Sequence, residues 1–257
     1  MVEHKDIDIT EKTLYQLGFK RNFPHTDATP KQIRFLNAHK KDRIYIHPND
    51  GTVLELHWRL TEVDHPFKPT LQQLLASSST IAVHNEHIKT VSGFHLWLYQ
   101  CLHGSYSGWY RLRWICDIAL LLETQTPDWS ELLKQAERYH CSNSLLEAVG
   151  LACTIFELEV PDALLPLLEK KHSLIQRQMN RCAQHLSQMR LMKGVADVKR
   201  ILFWAPAKSF MRYLSTHGPI NANDFNRIKL PDSLFFAYYL LRPFSFLYFR
   251  LHITQKD

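Results

Sequence analysis

Glu55 and His57, in the stretch DGTVLELHWRL at residues 50–60, are the pair whose types and spacing suit chemistry. Side chains alternate across a strand, so these two share one face while Leu54, Leu56 and Trp58 share the other. A half-buried strand with its polar face in water has this pattern. So does one arm of an active site whose other members lie elsewhere in the chain. Two further groupings carry less. HNEH, residues 84–87, sets two imidazoles three apart around Glu86, but a metal centre needs more ligands in fixed geometry and none is evident. Arg113 and Asp117 stand four apart, the spacing of an ordinary ion pair along a helix.

The elements that must position Glu55 are legible around it. RIYIHPNDGTVLELHW alternates on both sides of an Asn-Asp-Gly turn, which predicts a β-hairpin with Glu55 on its second arm. Ahead of it, KDIDITEKTLYQLGFK spaces Ile7, Leu14 and Leu17 as a helix would and closes at Gly18, a residue suited to the position just past a helix end. NFPHTDATPK, with two prolines among small polar residues, reads as a loop.

Helical periodicity dominates from about residue 70. TVSGFHLWLYQCLHG and GWYRLRWICDIALLLET are two apolar helices with glycines 104 and 108 between them, and their tryptophans are core residues. PDWSELLKQAERYHC has Asp128 as N-cap, and SNSLLEAVGLACTIFELEV is a core helix stopped by Pro161. Further helical segments run through residue 216, and a last helix starts at Pro231 or Asp232. The fold class is therefore α+β: a small hairpin-plus-helix region at 1–69, then a larger all-helical domain at 70–257. A two-stranded hairpin with one helix is rarely stable alone, so another element is expected beside it.

Bulk composition narrows the class without choosing a function. The 257 residues are 45% hydrophobic and 22% charged, as in an ordinary globular protein. The net charge of +6 suits a nucleotide, a nucleic acid or an acidic membrane, but the basic residues are interleaved with acids and outline no nucleic-acid face. Five scattered cysteines with no Cys-x-x-Cys pair suggest neither a disulfide framework nor a zinc ribbon, and fit a reducing cytoplasm. No stretch is long enough to span a bilayer; residues 234–249 come nearest, are interrupted by Arg242 and Pro243, and offer at most peripheral membrane contact.

Three stretches, in order, resemble the uncharacterised nucleotidyltransferase family, a bacterial branch of the polymerase-β-like nucleotidyltransferases. VLELHW at 53–58 is similar to its Val-Glu-Leu-His-Trp strand, and CLHGSYSGWYRLRWICDIALLL at 101–122 to its helical His…Trp…Arg-Leu-Arg-Trp…Asp block. KLPDSLFFAYYLLRP at 229–243 is similar to its C-terminal ending. The resemblance implies transfer of a nucleoside monophosphate from an NTP to an unknown acceptor, with Mg²⁺ held by an Asp-x-Asp pair and a third carboxylate on a neighbouring strand. By position Glu55 matches that third carboxylate, as a catalytic residue and metal ligand. His57, His103, Arg111 and Arg113 become candidates for contact with the nucleotide or acceptor, the arginines because a guanidinium fork suits phosphate oxygens.

The Asp-x-Asp pair itself is not found. Asp6 and Asp8 are unsuited, because ITEKTLYQLG between Asp8 and Gly18 is already helical in pattern and leaves no room for a strand and turn. Alignment on LGF at 17–19 puts Val2 on the last residue of the family's aspartate strand, so the chain is expected to be a family member without its N-terminal portion, very roughly 60–100 residues. A mis-called start, a shortened gene, or a split protein whose separate partner chain supplies that part would each produce this. On its own such a chain is expected to be inactive. The alternative is a non-catalytic helical interaction module derived from the same scaffold.

Overall fold

The computed structural model describes residues 1–63, 65–109, 111–170, 172–173, 176–177, 180, 220 and 222–241. Two compact units emerge, Met1–Leu71 with Lys208–Asp257, and Gln72–Ala207. The architecture is mixed α/β, with small antiparallel sheets followed by a helical region.

In the first unit, helix α1 (Ile7–Gln16) follows a 3₁₀ turn at His4–Asp6. Its end is set by Gly18 at φ +89°, which lets the Gly18 and Phe19 amides bond back to the carbonyls of Tyr15 and Leu14. Strand β1 (Lys20–Phe23), helix α2 (Pro30–His39), β2 (Asp42–Ile46) and β3 (Val53–His57) come next, and the sheet order is β1-β2-β3, all antiparallel. The predicted hairpin is thus β2–β3, and β1 is the element beside it. The stretch read as a loop ends in a helix: Thr29 accepts from the Gln32 amide while the Gln32 side chain takes the Thr29 amide, a capping box with Pro30 at the first helical position.

The two faces of the hairpin separate as expected. Tyr45, Leu56 and Trp58 are buried against Ile7 and Leu14 of α1. At about 1.5–3 kcal/mol for each fully buried large side chain, this contact fixes which face β3 turns outward. Residues 220 and 222–241, which the sequence reading grouped with the helical domain, belong to this first unit. Phe225 of helix α9 (Ala222–Arg227), Phe235 and Tyr238 pack on Leu36 of α2, and the Asp232 carboxylate takes the Thr29 hydroxyl and the Lys31 amide at the α2 N-terminus, where negative charge is favoured. The expected last helix begins as a 3₁₀ turn at Asp232–Leu234. Residues 242–249 of the apolar stretch lie outside the described residues, and among those described no helix is long and apolar enough to cross a membrane.

The second unit contains the hairpin β4 (Ser79–Val83) and β5 (Glu86–Thr90), then α4 (Gly93–Ser107), α5 (Leu112–Thr124), α6 (Trp129–Arg138), α7 (Ser142–Phe156) and α8 (Leu165–Lys170); a short α3 (Leu71–Ala76) spans the boundary. The hairpin corrects the expectation of helix throughout. His84 and Asn85 of HNEH are its turn, with His84 at φ +54°, and Glu86 and His87 open β5. Helix α7 is the axis of this unit, buried from Ser144 to Cys153, and it packs on α4 and α5, whose Leu98, Ile115 and Ile118 are fully buried. Asp128 caps α6 as expected.

Gly104 lies inside α4, whereas only Gly108, at φ +78°, ends it. The Trp109 ring is fully buried and lies where a Cβ on residue 104 would be, well inside van der Waals contact. Gly104→Ala is therefore expected to destabilise this unit by about 1–3 kcal/mol, the range for overpacking a core. Helix propensity alone would favour alanine by about 1 kcal/mol. Thermal unfolding followed by tryptophan fluorescence reads the sign, and an unchanged or raised melting temperature would contradict the close approach.

Candidate functional site

Glu55 is built into place by the hairpin register. Ile46 opposes Val53, Ile44 opposes Glu55 and Asp42 opposes His57. The Asn-Asp-Gly turn sets that register: His47 and Thr52 bond across its base, Gly51 is at φ +73°, and Asp50 accepts the Thr52 amide, which holds the Asp50 carboxyl below its usual range. Because residues two apart on β2 and β3 share a face, Asp42, Glu55 and His57 converge on the side away from α1.

One ligand atom from each of the three lies within 4.8 Å of the others, the one such cluster among the described residues. His57 Nε2 is 3.1 Å from Glu55 Oε2 and 3.6 Å from Asp42 Oδ2, and Nδ1 is 3.1 Å from the Arg59 carbonyl oxygen. The Glu55 side chain is 54% exposed, those of His57 and Asp42 17% and 15%, so the corner opens to solvent on the glutamate side. Lys41 Nζ stands 4.0 Å from Asp42 Oδ2. Asp42 is absent from the sequence-based candidates. Counting back from the turn, one pair per step, would have found it.

The backbone of β3 matters as much as its side chains. The bonds from His47 to Thr52 and from Trp58 to Lys41 bracket the ladder, so Leu54 and Leu56 form its hydrogen-bonded pairs with β2 and Val53, Glu55 and His57 direct their backbone groups to the other side. That side is a sheet edge, since β3 is last in the strand order. Val2 reaches it: its amide donates to the His57 carbonyl at 2.8 Å.

Behind the sheet, Arg43 and Glu11 hold the opposite face. The Arg43 side chain is 1% exposed and pairs through Nη1 with Glu11, which also accepts from the Tyr15 hydroxyl and, at 2.9 Å, from Arg21. Arg43 Nη2 meets Asn37 at 3.1 Å and Asp8 at 3.4 Å. Burial, with the Glu11 charge adding, pushes the Tyr45 hydroxyl up to about 12 and raises that of Tyr15. Asp6 closes a 3₁₀ turn and Asp8 lies in α1, so neither extends beside Glu55.

The remaining candidates fall in the other unit. His103 stacks on Tyr99 and meets the Trp114 ring edge-on at 4.9 Å, and the Arg111 guanidinium lies 5.6 Å from the same indole. Arg111 precedes α5 with extended backbone rather than forming part of the helix. Arg113 and Asp117 are exposed, and no ion pair joins them among the described residues. Trp114 thus gathers His103 and Arg111, while Arg113 stands apart from both contacts.

An antiparallel sheet that carries an outward acid on its edge strand, with a helical region after it, is the setting in which nucleotidyl transfer was expected. The chain belongs to the family described as uncharacterised nucleotidyltransferase, whose model matches residues 1–157. No curated protein and no solved structure matches the chain.

Proposed function

We propose that this protein serves transfer of a nucleoside monophosphate from an NTP to an acceptor, with Glu55 as one carboxylate ligand of Mg²⁺ and the remaining carboxylates brought by an Asp-x-Asp strand seated along the outer edge of β3. The observation that carries this reading is the placement of Glu55: its carboxylate faces solvent while its backbone faces the sheet edge that the Val2 amide reaches at His57. An exposed carboxylate with a second acid and an imidazole beside it fits a divalent cation by donor chemistry. Such an ion, when bound, neutralises triphosphate charge and favours attack by a hydroxyl at phosphorus. The residues of this chain supply a rigid strand for the ligand and an edge for a partner strand.

The metals of this reaction also need the Asp-x-Asp carboxylates, so the chain without them is expected to turn over no NTP. An Asp-x-Asp strand joined to this chain, or carried by a separate one, would complete the ligand set. The test is label transfer from α-labelled ATP, GTP, CTP and UTP in Mg²⁺, with the chain alone and with the chain joined to a segment carrying the Asp-x-Asp strand. Transfer only by the completed protein supports the reading. No transfer by either favours the non-catalytic module.

A further inference from the structure

We propose that Asp42, Glu55 and His57 form a binding site for one first-row divalent cation in the Mn²⁺ to Zn²⁺ range, which they hold without a nucleotide. The inference rests on Glu55 as a cation ligand and adds a nitrogen donor and a second strand to it. The argument starts from the imidazole. The Arg59 carbonyl is an acceptor only, so Nδ1, 3.1 Å away, donates its hydrogen there and the ring is fixed as the Nδ1–H tautomer. Nε2 then faces two carboxylates, at 3.1 and 3.6 Å, and the three donor atoms surround one small space.

Asp42 lies 3.6 Å from His57 Nε2 and 4.0 Å from the Lys41 ammonium, both longer than a hydrogen bond. A metal ion serves all three. Ligand atoms about 2.0–2.2 Å from a common centre are separated by about 3 Å when adjacent and about 4.2 Å when opposed, and the three donors here span no more than 4.8 Å. Two carboxylates and one imidazole suit a borderline ion more than Mg²⁺, which prefers oxygen and gives up water reluctantly. The carbonyl behind His57 is the outer partner that ligating histidines ordinarily have. Both strands are fixed from the opposite face by α1, so the donors are preorganised.

Mn²⁺ is the probe, read by loss of the free-ion electron paramagnetic resonance signal, on the chain without nucleotide. One ion per chain is expected, retained in tenfold excess Mg²⁺. His57→Ala and Asp42→Asn are each expected to weaken binding at least tenfold, with His84→Ala, in the β4–β5 turn, unchanged. A chain that binds no Mn²⁺, or whose His57→Ala variant binds it equally, or that loses it to equimolar Mg²⁺, overturns the proposal. If the variants fail to fold, imidazole nitrogen spectra of the unmodified chain decide: one histidine of the Nδ1–H tautomer must shift at Nε2 with stoichiometric Zn²⁺, and absence of that shift also overturns it. Label transfer by the completed protein is scored separately, so loss of this site and loss of the transferase reading are distinguishable.

Discussion

Glu55→Gln, in protein completed with an Asp-x-Asp strand, is expected to lower nucleotidyl transfer by about 10³-fold and to leave the fold intact. Glutamine keeps the size and one hydrogen-bonding oxygen of the side chain, so the contact with His57 is not sterically disturbed. It removes the charge. A cation contributes several kcal/mol of charge stabilisation in phosphoryl chemistry, and at about 1.4 kcal/mol for each tenfold in rate a loss of that size is about 10²–10⁴. Stability should hardly move, because the carboxylate is half exposed and a surface pair with an imidazole is worth at most about 1 kcal/mol. Initial rates with α-labelled NTP, paired with a urea midpoint for each protein, separate the two effects. Unchanged transfer would remove Glu55 from the site.

The second large effect concerns the ion network under the same sheet. Glu11→Ala is expected to destabilise the first unit by about 3–5 kcal/mol, the usual cost of leaving a buried charge without its partner. Among the described residues Arg43 would keep Asn37 and the solvent-exposed Asp8, at 3.4 Å, and Arg21 would lose its carboxylate as well. The charge alone is not the point, since replacing both members of a buried pair by apolar residues is often neutral or stabilising. Glu11→Leu with Arg43→Met should therefore recover most of the loss. Urea unfolding of the single and double variants measures this; a Glu11→Ala midpoint within about 0.5 kcal/mol of the parent would show that the network is not worth its burial.

How much of this was legible in the chain depends on whether the signal is local. The β2–β3 hairpin was, because alternation and an Asn-Asp-Gly turn specify faces and register over a dozen residues. The end of α1 at Gly18 was, because a positive φ has few other occupants. Strand β1 was not: KRNF is four residues long, has no alternation and runs into Phe23-Pro24. Helix α2 was hidden by weighing Pro30 as a loop signal when Thr29-Pro30 with Gln32 is a helix start. The β4–β5 hairpin was missed because every residue from Ser79 to Lys89 is exposed, so no buried face leaves a pattern.

The site divides the same way. Glu55 and His57 announce themselves by spacing on one strand, whereas Asp42 joins them only through pairing across the turn, thirteen residues from Glu55 in sequence and adjacent in space. The packing of Phe225, Phe235 and Tyr238 on α2 links residues about 200 apart, and no local rule reaches that far.

Arg59 has a further consequence. Its guanidinium takes the carbonyls of Asn37, Ala38 and Lys40, at 2.8–3.3 Å, while its own carbonyl steers the His57 ring. One residue thus ties the C-terminal end of α2 to the imidazole, through its side chain on one side and its backbone on the other. Anything that frays that helix end would release the tether and let the ring swing, so the orientation of His57 is governed from a place that no substrate or ion need touch.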